Sequence, residues 1–126
     1  MPHFRVEYSA NLQGKADIAA LCVAIHKTIM ATGLFELGAV RVRAFQADDY
    51  AIADLLPDNA FVDMEFRVGQ GRSAEDLKNA GEAIFKSATD ILQPLFATPH
   101  FALSLEIRTI DQGLSWKKNA MHARLR

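Results

Sequence analysis

One pattern, strand then helix then strand, occurs twice in this chain, about 60 residues apart, and nothing else in the sequence restricts the fold as much. In the first copy, about residues 1–46, Phe4, Val6 and Tyr8 alternate with His3, Arg5 and Glu7. That alternation predicts a half-buried strand over Pro2–Ser9. Ile18, Leu21, Cys22, Ile25 and Ile29 then fall at helical spacing, predicting a helix over Asp17–Ala31 with Asp17 at its start and Thr32-Gly33 at its stop. A second strand, about Ala39–Phe45, turns Val40, Val42 and Ala44 one way and Arg41 and Arg43 the other. The second copy, about residues 60–109, sets Val62, Met64, Phe66 and Val68 against Asp63, Glu65 and Arg67. Its helix starts at the capping-box-like pair Ser73 and Asp76 and carries Leu77, Ile84, Ala88 and Ile91 on its stripe. Lys78, Glu82 and Lys86 lie on the outer side with the spacing for helical charge pairing, and Pro94 ends the run. The closing strand is Phe101–Arg108, and the tail 110–126 carries the only tryptophan, Trp116. Each copy is the size of a βαβ unit and no linker separates them. The expected fold is α+β: one domain, 1–126, whose two βαβ repeats form a four-stranded mixed sheet with both helices on one face.

Composition narrows the function by exclusion. With 126 residues, 50% of them hydrophobic and 23% charged, the chain can bury a real core. A net charge of −1 gives no basic footprint for nucleic acid. Cys22, the single cysteine, sits in an apolar run and reads as core. His3, His26, His100 and His122 are scattered without metal-ligand spacing, so no metal is expected. The acids of the loop after the second strand, Asp48, Asp49, Asp54 and Asp58, lack the order of a calcium loop and read as solvated. No secretory leader and no membrane span are evident, and the expected location is cytoplasmic.

The chemistry is concentrated at the chain's start. Pro2 follows Met1, and a small second residue permits removal of the initiator methionine. Pro2 would then carry a free secondary amine, and an α-amino group titrates at roughly 7.7–8.0, within reach of general-base work. While Met1 stays attached, the same nitrogen is an amide and no base. Strands of one βαβ unit run parallel, so Pro2 and Arg41 start at the same sheet edge. If the second unit runs antiparallel to the first, the Gly69–Ser73 turn with Arg72 reaches that edge too. Guanidinium groups there would grip carboxylates bidentately and lower the pKa of a nearby amine. The other face of the sheet holds both charge signs in near balance, as a solvated face or an oligomer interface would.

Several segments carry a likeness to a known family. Pro2-His3-Phe4 with Val6-Glu7-Tyr8-Ser9 and Asn11-Leu12, Ala31-Thr32-Gly33 with Phe35, Arg41 and Arg43, Ile52-Ala53-Asp54, Ala60-Phe61-Val62, Gly71-Arg72-Ser73, Leu103-Ser104 with Glu106-Ile107, and Lys117, Asn119 and His122 in the tail run in order along the chain. Together they resemble the 5-carboxymethyl-2-hydroxymuconate isomerase family of the tautomerase superfamily. The resemblance implies a tautomerase-like homotrimer with active sites near subunit boundaries. It implies Pro2 as the catalytic base after loss of Met1, with Arg41 and Arg72 binding the carboxylates of a small dicarboxylate substrate and polarising its keto oxygen. The implied reaction converts a dienol diacid to its unsaturated 2-oxo form in homoprotocatechuate breakdown, without cofactor or metal. Leu55 stands where the family commonly has Gly, and Asp63 where His is common. The alternatives are another activity of the superfamily, such as hydration of an unsaturated acid, or a non-catalytic trimeric binding domain.

Overall fold

The computed structural model describes residues 1–126. Its sheet has the order β2-β1-β3-β4, formed by β1 (His3–Ser9), β2 (Arg41–Ala47), β3 (Ala60–Val68) and β4 (Phe101–Thr109). β1 pairs parallel with β2, and β3 parallel with β4; the central pair, β1 with β3, is antiparallel. The two βαβ units therefore run head to tail, and helices α1 (Ile18–Ala31) and α2 (Ala74–Ile91) complete them. The expected α+β architecture is the one observed.

Alternation decides the core. Phe4 and Val6 from β1, with Val62, Met64, Phe66 and Val68 from β3, are fully buried against Leu21, Ile25 and Ile29 of α1 and Ile84 and Ala88 of α2. Phe66 links the layers, its ring 5.4 Å from Phe4 and 5.3 Å from Phe35. The helix starts follow their capping residues. Asp17 accepts from the Ala20 N–H at 2.9 Å and Ser73 from the Asp76 N–H at 3.0 Å. Each satisfies one of the backbone donors that a helix N-terminus leaves free.

Three expectations need correction. The second strand begins at Arg41 rather than Ala39, because Leu37–Ala39 close a 3-10 turn in which the Ala39 N–H bonds the Glu36 carbonyl. On α2 the spacing favoured Ile91, but Ala80 and then Leu92, just past the helix, are buried instead, and Ile91 stays exposed. The outer charge pairing of α2 consists of Lys86 with Asp90 at 2.8 Å, at i,i+4 spacing; neither Lys78 nor Glu82 takes part.

The register sorts the charges that the sequence presented as balanced. Across the open face, Arg41, His3, Arg67 and Arg108 form one row, at the edge where the chain begins. Arg43, Arg5, Glu65 and Glu106 form the next, and Phe45, Glu7, Asp63 and Ser104 the third. Asp63 thus sits two rows from the chain's start, accepting from the Ser104 hydroxyl at 2.6 Å. Leu55 lies on the loop at the far edge with φ +70°, a left-handed conformation in which Gly is at ease and a side chain is strained. Neither departure from the family pattern borders the edge that holds Pro2.

Candidate active site

Four segments meet where the chain starts. Pro2 enters β1 and is buried; its carbonyl accepts from the Arg41 N–H at 3.3 Å, tying the first residues of β1 and β2 together. The antiparallel β3 ends at the same edge and leads into the Gly69–Ser73 turn. The tail leaves β4 there as well, with the Ile110 N–H bonding the Val68 carbonyl at 2.7 Å. It then folds back so that α3 (His122–Leu125) packs on the 3-10 turn after α1: Asn119 donates to the Gly38 carbonyl at 2.8 Å, and Arg126 reaches Glu36 at 2.9 Å.

Two cavities open between these segments. One, of about 730 Å³, is lined by Pro2, Arg72, Leu34, Glu36, Asn119 and His122 among others. The other, of about 450 Å³, is on the side of the open sheet face and is lined by His3, Arg41, Arg67, Trp116 and Lys118 among others. Met1, Ile110, Ser115 and Lys117 border both. Pro2 and Arg72 are thus brought into one cavity as expected, while the Arg41 side chain lines its neighbour across a wall that includes Met1.

The cations of this edge differ in what they hold. Arg72 is committed to the fold: Nε and Nη2 donate to the Leu34 carbonyl at 3.1 and 3.0 Å, Nη1 to the Gly69 carbonyl at 3.3 Å, and the guanidinium lies 4.1 Å from the centre of the Phe35 ring. Three of its five N–H donors are taken, which leaves two for a ligand. The sequence placed Arg72 at this rim without showing that it also holds two loops together. Arg41 donates once, from Nη1 to the Ala39 carbonyl at 2.8 Å. Arg67 and Lys117 have no acidic partner within ion-pair distance. Glu36, the acid of the larger cavity, is already matched: the Arg126 hydrogen bond chiefly holds its pKa below the usual carboxylate range. His122 Nδ1 is 3.2 Å from Glu36 Oε2, too poorly aligned for a hydrogen bond, and is left buried without one.

The consequence is a positive field at the chain's start. Burial first, then Lys117, Arg72, Arg41 and Arg67, lower the pKa of the terminal amine, which Met1 carries here. His3 is pushed down to about 4 by burial and by Arg67, Arg43 and Arg41. Sequence reasoning placed Arg67 only on the charged face and gave Lys117 no role. The one signal for Lys117 was its place in the matched tail segment with Asn119 and His122. No group of three His, Cys, Asp or Glu side chains is disposed to hold a metal ion.

With the geometry in place, comparison with known proteins is decisive. The family model of 5-carboxymethyl-2-hydroxymuconate isomerase matches residues 2–125. The chain belongs to this isomerase family. A 5-carboxymethyl-2-hydroxymuconate Delta-isomerase of Escherichia coli is 37% identical over 123 residues, 98% of either chain. A crystal structure of a 5-carboxymethyl-2-hydroxymuconate isomerase from Deinococcus radiodurans R1, also 37% identical, superposes with a TM-score of 0.94 over 99% of this chain and 94% of its own. Another solved 5-carboxymethyl-2-hydroxymuconate delta-isomerase, 29% identical, gives 0.91 over 100% and 93%. The sheet and its two helices are thus the tautomerase-like fold shared with these enzymes, and the chain is an isomerase by family.

Because Arg72 bridges the segments after α1 and β3, its loss should be felt in stability before any substrate is added. Arg72→Met is expected to lower the unfolding free energy by about 1.5–3 kcal/mol, the worth of charged hydrogen bonds to carbonyls. Arg72→Lys should recover less than half of that, since an ammonium cannot reproduce the fork. Urea unfolding checks both; a wild-type midpoint in Arg72→Met would contradict the bridging role.

Proposed function

We propose that this isomerase tautomerises a dienol of the 5-carboxymethyl-2-hydroxymuconate type, a muconate diacid with a further carboxymethyl arm, to its unsaturated 2-oxo form, with the amine of Pro2 as acid and base after removal of Met1. The observation that carries this reading is the set of cations around the chain's start, Arg41, Arg67, Lys117 and the remaining donors of Arg72, in a chain whose net charge is −1. So many like charges at one edge raise the energy of the empty site and are relieved by a ligand with two or more negative groups. Such a ligand also suits two adjoining cavities, one carboxylate toward Arg72 and another toward Arg41. Met1 lies in the wall between them, so its removal would both free the amine and widen the passage.

In this mechanism the Pro2 amine takes the proton from the 2-hydroxyl. The O–H pair becomes the carbonyl π bond, the diene electrons shift along the chain, and the ammonium returns a proton to the distant carbon. No proton is gained or lost overall. The cationic field favours the base form of the amine by lowering its pKa from the ordinary range and stabilises the dienolate between the two transfers. The setting we assign is the breakdown of homoprotocatechuate.

We also assign three copies to the working assembly, with the open sheet faces turned toward one another. The sorted rows support this. Arg41 and Arg67 at one end of the face and Glu7 at the other lack ion-pair partners within the chain, and a neighbouring copy can supply them. The tail exposes Leu114 and Trp116, the latter 85% accessible, as apolar surface that a neighbour would cover.

Two outcomes are expected. The protein beginning at Pro2 should convert a dienol diacid to the conjugated ketone, followed by absorbance, and the form retaining Met1 should be slower by roughly 10²- to 10⁴-fold, the worth of a general base. Equal rates from the two forms would remove Pro2 as the base. Sedimentation at micromolar concentration should give a trimer; a monomer would contradict the assembly.

A further inference from the structure

His3 is the one ring on the cationic row, and its surroundings specify its hydrogen-bonding state. It stands between Arg41 on β2 and Arg67 on β3 in the sheet register and lines the cavity on the open-face side. Its Nδ1 is 3.1 Å from Arg43 Nη1. A guanidinium has N–H donors and no acceptor, so Nδ1 must accept. In a neutral imidazole the proton is then on Nε2. The groups facing His3 from both neighbouring strands are cations: Arg41 and Arg43 on β2 and Arg67 on β3, with the terminal amine beyond. They disfavour an imidazolium, in accord with its lowered pKa of about 4. The side chain is thus a neutral donor with a fixed tautomer, one residue from the chain's start.

A neutral donor does something the arginines beside it do not. Guanidinium groups attract a carboxylate whether or not the reaction proceeds. A neutral N–H interacts weakly with a neutral hydroxyl oxygen and strongly with that oxygen once it bears charge, and this difference accelerates a step. We propose that His3, held as the Nε2–H tautomer by Arg43, donates a hydrogen bond to the substrate oxygen that gains charge during the proton transfer. Arg43 is then a positioning residue that acts through the ring. The inference rests on the reading of the site given under Proposed function, since it takes the reacting oxygen to lie on the Arg41 side of the chain's start.

The experiment combines a tautomer measurement with a kinetic split. In the wild-type protein beginning at Pro2, long-range ¹H–¹⁵N NMR of His3 should find the Nε2–H tautomer throughout the neutral range, with protonation only near pH 4. A proton on Nδ1, or an imidazolium at neutral pH, would overturn the proposal without any variant having to fold. On a dienol diacid, His3→Phe should lower kcat by roughly 10- to 100-fold, below the full worth of an oxyanion donor because other donors remain. KM should stay nearly constant, as expected for an interaction made mainly in the transition state. His3→Gln, which places an N–H near the Nε2 position, should restore part of the loss. Arg43→Met should raise the His3 pKa and allow both tautomers. Unchanged kcat in a folded His3→Phe, or a rise in KM alone, would sink the assignment. The Met1-retaining form measured in parallel separates the two claims: if it is inactive while His3→Phe is fully active, only the His3 assignment fails; if it is fully active, the reading of Pro2 fails first.

Discussion

The antiparallel pairing of β1 with β3 is the contact on which the remaining geometry depends. Each βαβ unit alone places two strand starts at one sheet edge. Joining the units head to tail adds the end of β3, with the Gly69–Ser73 turn, and the end of β4, from which the tail departs. Four separate stretches of chain therefore converge beside Pro2. The pairing is held by apolar burial on one side: Phe4, Val6, Val62, Met64 and Phe66 are all inaccessible to solvent. A slip of one residue would turn that set outward and carry His3 and Arg67 inward, so the register of the edge is fixed by the core beneath it.

A cluster of cations at a strand edge works against folding, and local features of the chain offset part of the cost. Neutral backbone carbonyls accept from these guanidinium groups where no carboxylate is paired with them. Leu34 and Gly69 solvate Arg72, and Ala39 solvates Arg41. The face of Phe35, itself packed on Phe66, supports the Arg72 guanidinium and joins the edge to the core. Glu36 is not available to neutralise the edge, since Arg126 and His122 from the returning tail already face it. The field at the chain's start is thus a constructed feature, and its natural complement is an anionic ligand. No helix is long and apolar enough to cross a membrane.

Much of this was legible beforehand. Period-two alternation located all four strands, and Asp17 and Ser73 marked the helix starts, because strand faces and capping residues are local properties. The convergence of Pro2 with Arg72 also followed, once the second unit was taken to oppose the first. Other features were hidden because they depend on distance along the chain. The carbonyl that holds Arg72 belongs to Leu34, 38 residues away, so the bridging role of this arginine could not be read along the chain. Charge counting gave a balanced open face; only the register revealed the row Arg41, His3, Arg67 and Arg108. The tail has no periodicity to read, and its cavity-lining residues Lys117, Asn119 and His122 stood out only through likeness to relatives.

The proposed role of Pro2 requires an amine whose pKa is lowered by burial and by the surrounding cations, as that of the Met1 amine is. The most direct measurement is an NMR titration of the protein labelled with ¹⁵N-proline and beginning at Pro2. A single titrating imino nitrogen is expected, with an apparent pKa below the roughly 7.7–8.0 of an unperturbed α-amino group. A value at or above that range would contradict the proposed role.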